Sequence, residues 1–259
     1  NSRGSSVFQD SNCSAFIRLK SRMVSFFRPS RFPPIAPPLF GGRPDKRGGP
    51  LYIRTLRRPS SSVQAERGGE KGSAPMSFSA SVKEELCSLL CDSPALSKAE
   101  CYGLLLFGRA FQGEKIVLLT ENEHTVRRYQ QVVQEVTGVP VAVEAVGGPA
   151  AGRFLNASVE QAQDRETVLA CFGHAPGRVS LRINRAVLEE EGCPGAFLRG
   201  VFLSCGALAD PEKEYHLELY VPFYNLACDL QLLLAECSLA AKMIPRKGGY
   251  VLYFKESEA

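Results

Sequence analysis

Residues 196–218 read AFLRGVFLSCGALADPEKEYHLE. The run Ala196–Ala209 is the longest apolar stretch in the chain and is interrupted by Arg199. It falls far short of the ~20 residues a membrane span needs, so it reads as a core helix, placed at about Gly195–Leu208. The chain then turns at Asp210-Pro211 and enters Tyr215–Val221, which reads as a strand. Beyond it the pattern gives a helix at about Tyr224–Cys237, the stretch Ala240–Pro245, a turn at Gly248-Gly249 and a strand over Tyr250–Lys255.

The same order stands earlier in the chain. Ser81 with Glu84, and Ser97 with Glu100, have capping-box spacing. They predict one helix running to about Leu90 and a second from Lys98 to Ala110. Gly113 precedes a strand over Lys115–Thr120. A helix follows from Glu123 to Thr137, with Val126, Tyr129, Val133 and Val136 on one face and Gly138 as its stop. Val139–Val146 and Arg153–Val159 read as a hairpin around Gly147-Gly148-Pro149. Arg178–Asn184 alternates strictly and reads as a half-buried strand. Landmarks recur about 100 residues apart, Gly103 with Gly200, Thr120 with Tyr220 and Gly148 with Gly248. The expectation is an α+β fold made by internal duplication, with mainly antiparallel sheets and helices on one face.

Composition divides the chain further. Of 259 residues, 44% are hydrophobic and 22% charged, which are globular values. Nine cysteines are too few for a disulfide scaffold, so reduced thiols are expected. The net charge of +4 hides a split. Residues 1–75 hold 14 Lys+Arg against 4 Asp+Glu, and residues 76–259 hold 17 against 23. The first segment also holds 9 of the 17 prolines and shows no helix or strand period, so it reads as a disordered basic leader. Three accounts of it stand: an organelle transit peptide, a phosphate-binding arm, or text translated from upstream of a natural start at Met76. The change of composition at Met76 favours the last. The division is therefore 1–75, a first repeat over 76–184 and a second over 185–259.

Two stretches carry a family resemblance. Met76-Ser-Phe-Ser-Ala-Ser-Val-Lys-Glu-Glu-Leu86 and the segment 196–218 resemble signatures of the WhiA family of bacterial sporulation and cell-division regulators. The resemblance covers essentially all of 76–259 and none of 1–75. It implies a duplicated domain similar to LAGLIDADG homing endonucleases, followed in the family by a C-terminal helix-turn-helix that this sequence lacks. The motif helices would be Tyr102–Arg109 and Leu198–Gly206, with small residues letting them pack closely. Active nucleases end each motif helix in an acid that holds divalent metal at the scissile phosphate. The matching positions here are Gly108 and Cys205, neither of which offers magnesium a hard oxygen ligand. Asp210, the nearest acid, lies past the helix end.

The resemblance thus implies a non-enzymatic transcriptional regulator fragment, cytoplasmic and nucleoid-associated, without cofactor or metal. Its partners would be DNA, mainly through the missing C-terminal domain, and a protein; no membrane role is expected. The alternatives are a residual metal-dependent endonuclease working through displaced acids such as Asp210, or a pure protein-interaction module.

Within the body, Arg153, Arg178, Arg182 and Arg185 are the candidate phosphate contacts, against the plainer reading of a solvated strand face. Arg127 and Arg128 read as solvent-facing partners of Glu123 and Glu135. Cys87, Cys91 and Cys101 lack zinc-finger spacing and read as buried thiols. His216 beside Glu218 suggests a cross-strand hydrogen bond rather than an acid–base dyad, and His124 and His174 show no partner. Asp164-Arg165-Glu166 reads as helix-start charge. Neither a phosphate loop nor Gly-x-Gly-x-x-Gly after a strand is present.

Overall fold

A computed structural model describes residues 77–147, 154–177, 180–209 and 216–255. The leader 1–75, together with Met76, lies outside them. Helix α1 spans Phe78–Cys87. The first repeat follows as α2 (Pro94–Leu106), β1 (Ala110–Phe111), β2 (Ile116–Thr120), α3 (Glu123–Thr137), β3 (Ala142–Val146), β4 (Phe154–Val159) and α4 (Ala162–Cys171). A 3-10 turn at Arg185–Leu188 leads to the second: α5 (Cys193–Cys205), β5 (Gly206–Leu208), β6 (His216–Val221), α6 (Tyr224–Glu236), β7 (Lys242–Arg246) and β8 (Gly249–Lys255). Each repeat builds a four-stranded antiparallel sheet, ordered β1-β2-β4-β3 in the first and β5-β6-β8-β7 in the second. The α+β duplication expected from the sequence is the observed architecture.

The two halves meet backbone to backbone. A Cβ added at Gly103 would strike the Phe197 carbonyl, and one added at Gly200 would strike the Glu100 carbonyl. The absence of side chains at these two positions is what lets α2 and α5 touch. The reciprocity sets Gly103 equivalent to Gly200, and counting onward sets Gly108 equivalent to Cys205. Around this contact one core joins both repeats, including Tyr102, Phe107, Phe197 and Phe202. Apolar side chains alternate inward along the strands, so Ile116 and Leu118 in one sheet, and Leu217, Leu219 and Val221 in the other, are buried. No helix among the described residues is long and apolar enough to cross a membrane.

Several boundaries differ from the sequence reading. The helix caps are Ser77 and Ser93, whose hydroxyls accept from Ala80 N and Leu96 N. Ser81 and Ser97 lie one turn inside, where their N–H groups already donate to Ser77 O and Ser93 O. Pro94 at the first helical position marks the true start of α2. Helix α1 stops at Cys87 rather than Leu90, α2 at Leu106 rather than Ala110, and the end of the 195–208 stretch is β5. Helix α3 starts and stops as expected, capped by Asn122 and ended by left-handed Gly138 at φ 72°.

The strand expected over 178–184 is not one. Residues 178–179 lie outside the described set, and 180–184 pair with no strand. Leu181 and Ile183 are nonetheless buried, so the alternation reports burial without a ladder. Side chains satisfy this backbone instead. Ile183 N donates to Asp229 Oδ2 (3.0 Å), and Asn184 N donates to the Tyr102 hydroxyl (2.7 Å).

Candidate functional site

The C-terminal ends of α2 and α5 carry Gly108 and Cys205, the positions that the sequence resemblance sets against the acids of the nuclease motif. Gly108 sits under the sheet, where an added Cβ would stand 2.8 Å from Val117 O. Cys205 points its thiol back along its own helix, Sγ lying 3.4 Å from Val201 O, and burial pushes its pKa up to about 12. A protonated thiol and a glycine supply no carboxylate, so these ends do not fit a divalent ion. No group of three or more His, Cys, Asp or Glu among the described residues could hold a metal. Asp210 lies outside the described residues.

Behind this end, the helix pair is joined by a buried ion cluster that the sequence does not announce. Glu100, on α2, is fully buried and accepts from Arg128 Nε (2.9 Å) and Nη2 (2.7 Å) and from Arg199 Nη2. Arg128, on α3, reads from the sequence as solvent-facing beside Glu123 or Glu135, yet it is 4% exposed. Its neighbour Arg127 does pair with Glu123, at 3.7 Å. Burial alone would raise the Glu100 carboxyl, but hydrogen bonds and charge from Arg128 and Arg199 hold it below its ordinary value. Cys91 joins the cluster, its Sγ 3.1 Å from Glu100 Oε2 and 2.9 Å from Arg199 Nη2. Burial, then the Glu100 charge, pushes that thiol up to about 11, and burial pushes Cys87 up to about 12. These are half-buried thiols held protonated, and the described cysteines form no disulfide.

The arginines proposed from the sequence for phosphate contact have internal partners where they are described. Arg182 grips Asp229 of α6 bidentately, both bonds 2.7 Å long. Arg185 grips Glu236 of the same helix at 2.6 and 3.1 Å. The segment between the repeats is thereby buckled to α6. Arg153 and Arg178 lie outside the described residues.

The outer faces of the two sheets, turned away from the helices, differ in chemistry. In the first, Glu144 is the only ionisable side chain on the described strands; Leu119, Val146, Phe154, Asn156 and Ser158 share the face by register. In the second, His216, Glu218, Tyr220, Lys242, Arg246 and Tyr253 share a face. His216 Nε2 lies 2.8 Å from Glu218 Oε1, two residues along the same strand rather than across it. Arg246 Nη1 reaches Glu218 Oε2 at 2.7 Å. His174 and His124 also have partners: the Tyr102 hydroxyl at 2.8 Å and Glu84 at 3.5 Å.

Comparison with known proteins matches this geometry to a family. Residues 194–259 match the WhiA LAGLIDADG-like domain. A probable cell division protein WhiA from Ruminiclostridium cellulolyticum is 33% identical over 190 residues, covering 71% of this chain and 61% of that protein. One from Leuconostoc citreum is 34% identical over 188 residues, covering 71% and 60%. The chain thus spans about three-fifths of the length of these relatives. The crystal structure of full-length WhiA from Thermatoga maritima shares the fold at a TM-score of 0.54 and 20% identity, covering 70% of this chain and 57% of that one. The matched second repeat and the relatives along most of the body place this chain in the WhiA family.

Proposed function

We propose that this chain is the nuclease-like part of a WhiA-type DNA-binding regulator of cell division or sporulation control, cytoplasmic and without nuclease activity. In this reading the two repeats, 76–184 and 185–259, form a platform. Sequence-specific DNA contact falls mainly to a helix-turn-helix outside this chain. The observation that carries the reading is the pair of motif ends, where Gly108 and Cys205 stand in place of carboxylates. The relatives' description as probable cell division proteins supports the biological setting.

The platform's own DNA contact is weak. Arg182 and Arg185 are spent on α6, which leaves Arg153 and Arg178 of the original four. The second sheet's outer face adds Lys242, with exposed Lys247 in the adjoining turn, while Arg246 is already paired with Glu218. Titration of labelled duplex DNA against the chain tests this reading. Binding should weaken steeply between about 50 and 200 mM salt, as phosphate contacts require. Absence of binding at the lower salt would remove DNA contact from this part of the protein. A second reading, a protein-docking platform, is favoured by the sparsely charged and partly apolar outer face of the first sheet, where Leu119 and Val146 are each 37% exposed.

A further inference from the structure

Helix α1 carries one of the two stretches that resemble family signatures, yet none of the roles above uses it. Phe78, Val82 and Leu86 anchor it in the core. It is tied to the first repeat by Asn122 Nδ2, which donates to Ala80 O (3.5 Å), and by His124 beside Glu84. It is tied to the second by Leu208 N, which donates to Ser79 Oγ (3.3 Å). The helix therefore lies across the last turn of α5, where Cys205 gives way to β5.

Lys83 points into that junction. Its Nζ stands 5.7 Å from the centroid of the Phe202 ring, one turn before Cys205. Cys205 and Cys87 are the groups close enough to act on its charge. Among the described residues no carboxylate forms an ion pair with it. An aromatic face attracts an ammonium, but it does not replace the water or the counter-ion that burial removes. The side chain is half-buried over its whole length, and the loss of water around its ammonium pushes the Lys83 pKa down.

We propose that α1 is a plug on the motif end of α5, with the Lys83 ammonium holding the place a divalent cation would take beside a carboxylate at position 205. Loss of metal chemistry is then built in twice, by the missing acids and by a fixed internal cation. A carboxylate restored at 205 would pair with Lys83 and recruit no metal.

Melting of the full chain and its Lys83→Met, Cys205→Asp and combined variants tests this. Cys205→Asp should melt at least about 3 °C above the combined variant, a gap of roughly 1 kcal/mol in a domain of this size. Lys83→Met alone should melt no lower than the unaltered chain, and millimolar Mn2+ should leave Cys205→Asp unmoved. Equal melting of Cys205→Asp and the combined variant, or a rise of Cys205→Asp with Mn2+, would overturn the proposal. Should Cys205→Asp not fold, amine acylation of the unaltered chain decides. Lys83 should react at least ten-fold more slowly than exposed Lys242, and equal rates would overturn the plug.

Discussion

The two repeats follow one path but use equivalent positions differently. Gly103 and Gly200 serve the same close approach from opposite sides. One residue earlier the equivalence breaks. Tyr102 in the first repeat sends its hydroxyl to His174 and Asn184, while Arg199 in the second sends its guanidinium to Glu100 of the first. Five residues beyond the glycines, one repeat has Gly108 and the other Cys205. The two repeats agree where backbone must meet backbone and differ in side chain on either side of that contact.

The largest effect should come from breaking what the repeats share. Gly103→Ala and Gly200→Ala each force a Cβ onto opposing backbone. Each should cost at least about 3 kcal/mol in urea unfolding. If both were as mild as an exposed-helix substitution, the equivalence would fail.

Next comes what they do not share. Glu100→Leu leaves two buried guanidiniums facing each other and should cost about 3–5 kcal/mol, with Tyr102→Phe costing about 1–2. The reverse order would show that the hydroxyl network, rather than the ion cluster, joins the halves. The cluster also sets a pH dependence. Because the Glu100 carboxyl lies below its ordinary value, its stabilisation is complete above the usual carboxylate range and is lost as pH falls through the lowered folded value. Acid titration should therefore destabilise the unaltered chain more steeply than Glu100→Gln, and parallel curves would contradict the assignment.

The smallest effects belong to the surface. Arg182 is 61% exposed, so Arg182→Ala should cost no more than about 1 kcal/mol despite its bidentate geometry. Reversal of Lys242 and Lys247 to Glu should leave stability nearly unchanged. It should also reduce the salt dependence of duplex binding by about 0.9 for each phosphate that is no longer neutralised. An unchanged slope would move any DNA binding off the second sheet.

The order of elements was legible in the sequence because it rests on local signals. The amphipathic period of α3 and its Gly138 end are read within a dozen residues, whereas its Asn122 cap and the short edge strands β1 and β5 were not. The caps of α1 and α2 were misplaced because Ser-x-x-Glu recurs one turn inside each helix; Pro94 was the signal that could have corrected the second. The partners of Glu100, Arg128, Arg182 and Arg185 were out of reach. Those pairs join residues 28 to 99 positions apart. Charge in a sequence reads as solvent-facing until the fold brings its counter-charge to it. The strict alternation at 178–184 likewise reported burial correctly, but nothing local shows whether a neighbouring strand is there to pair.

The most direct test of the account is incubation of supercoiled plasmid with the chain in magnesium and, separately, in manganese. The plasmid should remain supercoiled at any protein concentration, even where the chain retards it on a gel. Metal-dependent nicking or linearisation, abolished by chelation and absent from a matched blank preparation, would contradict the account and return the motif ends to catalysis.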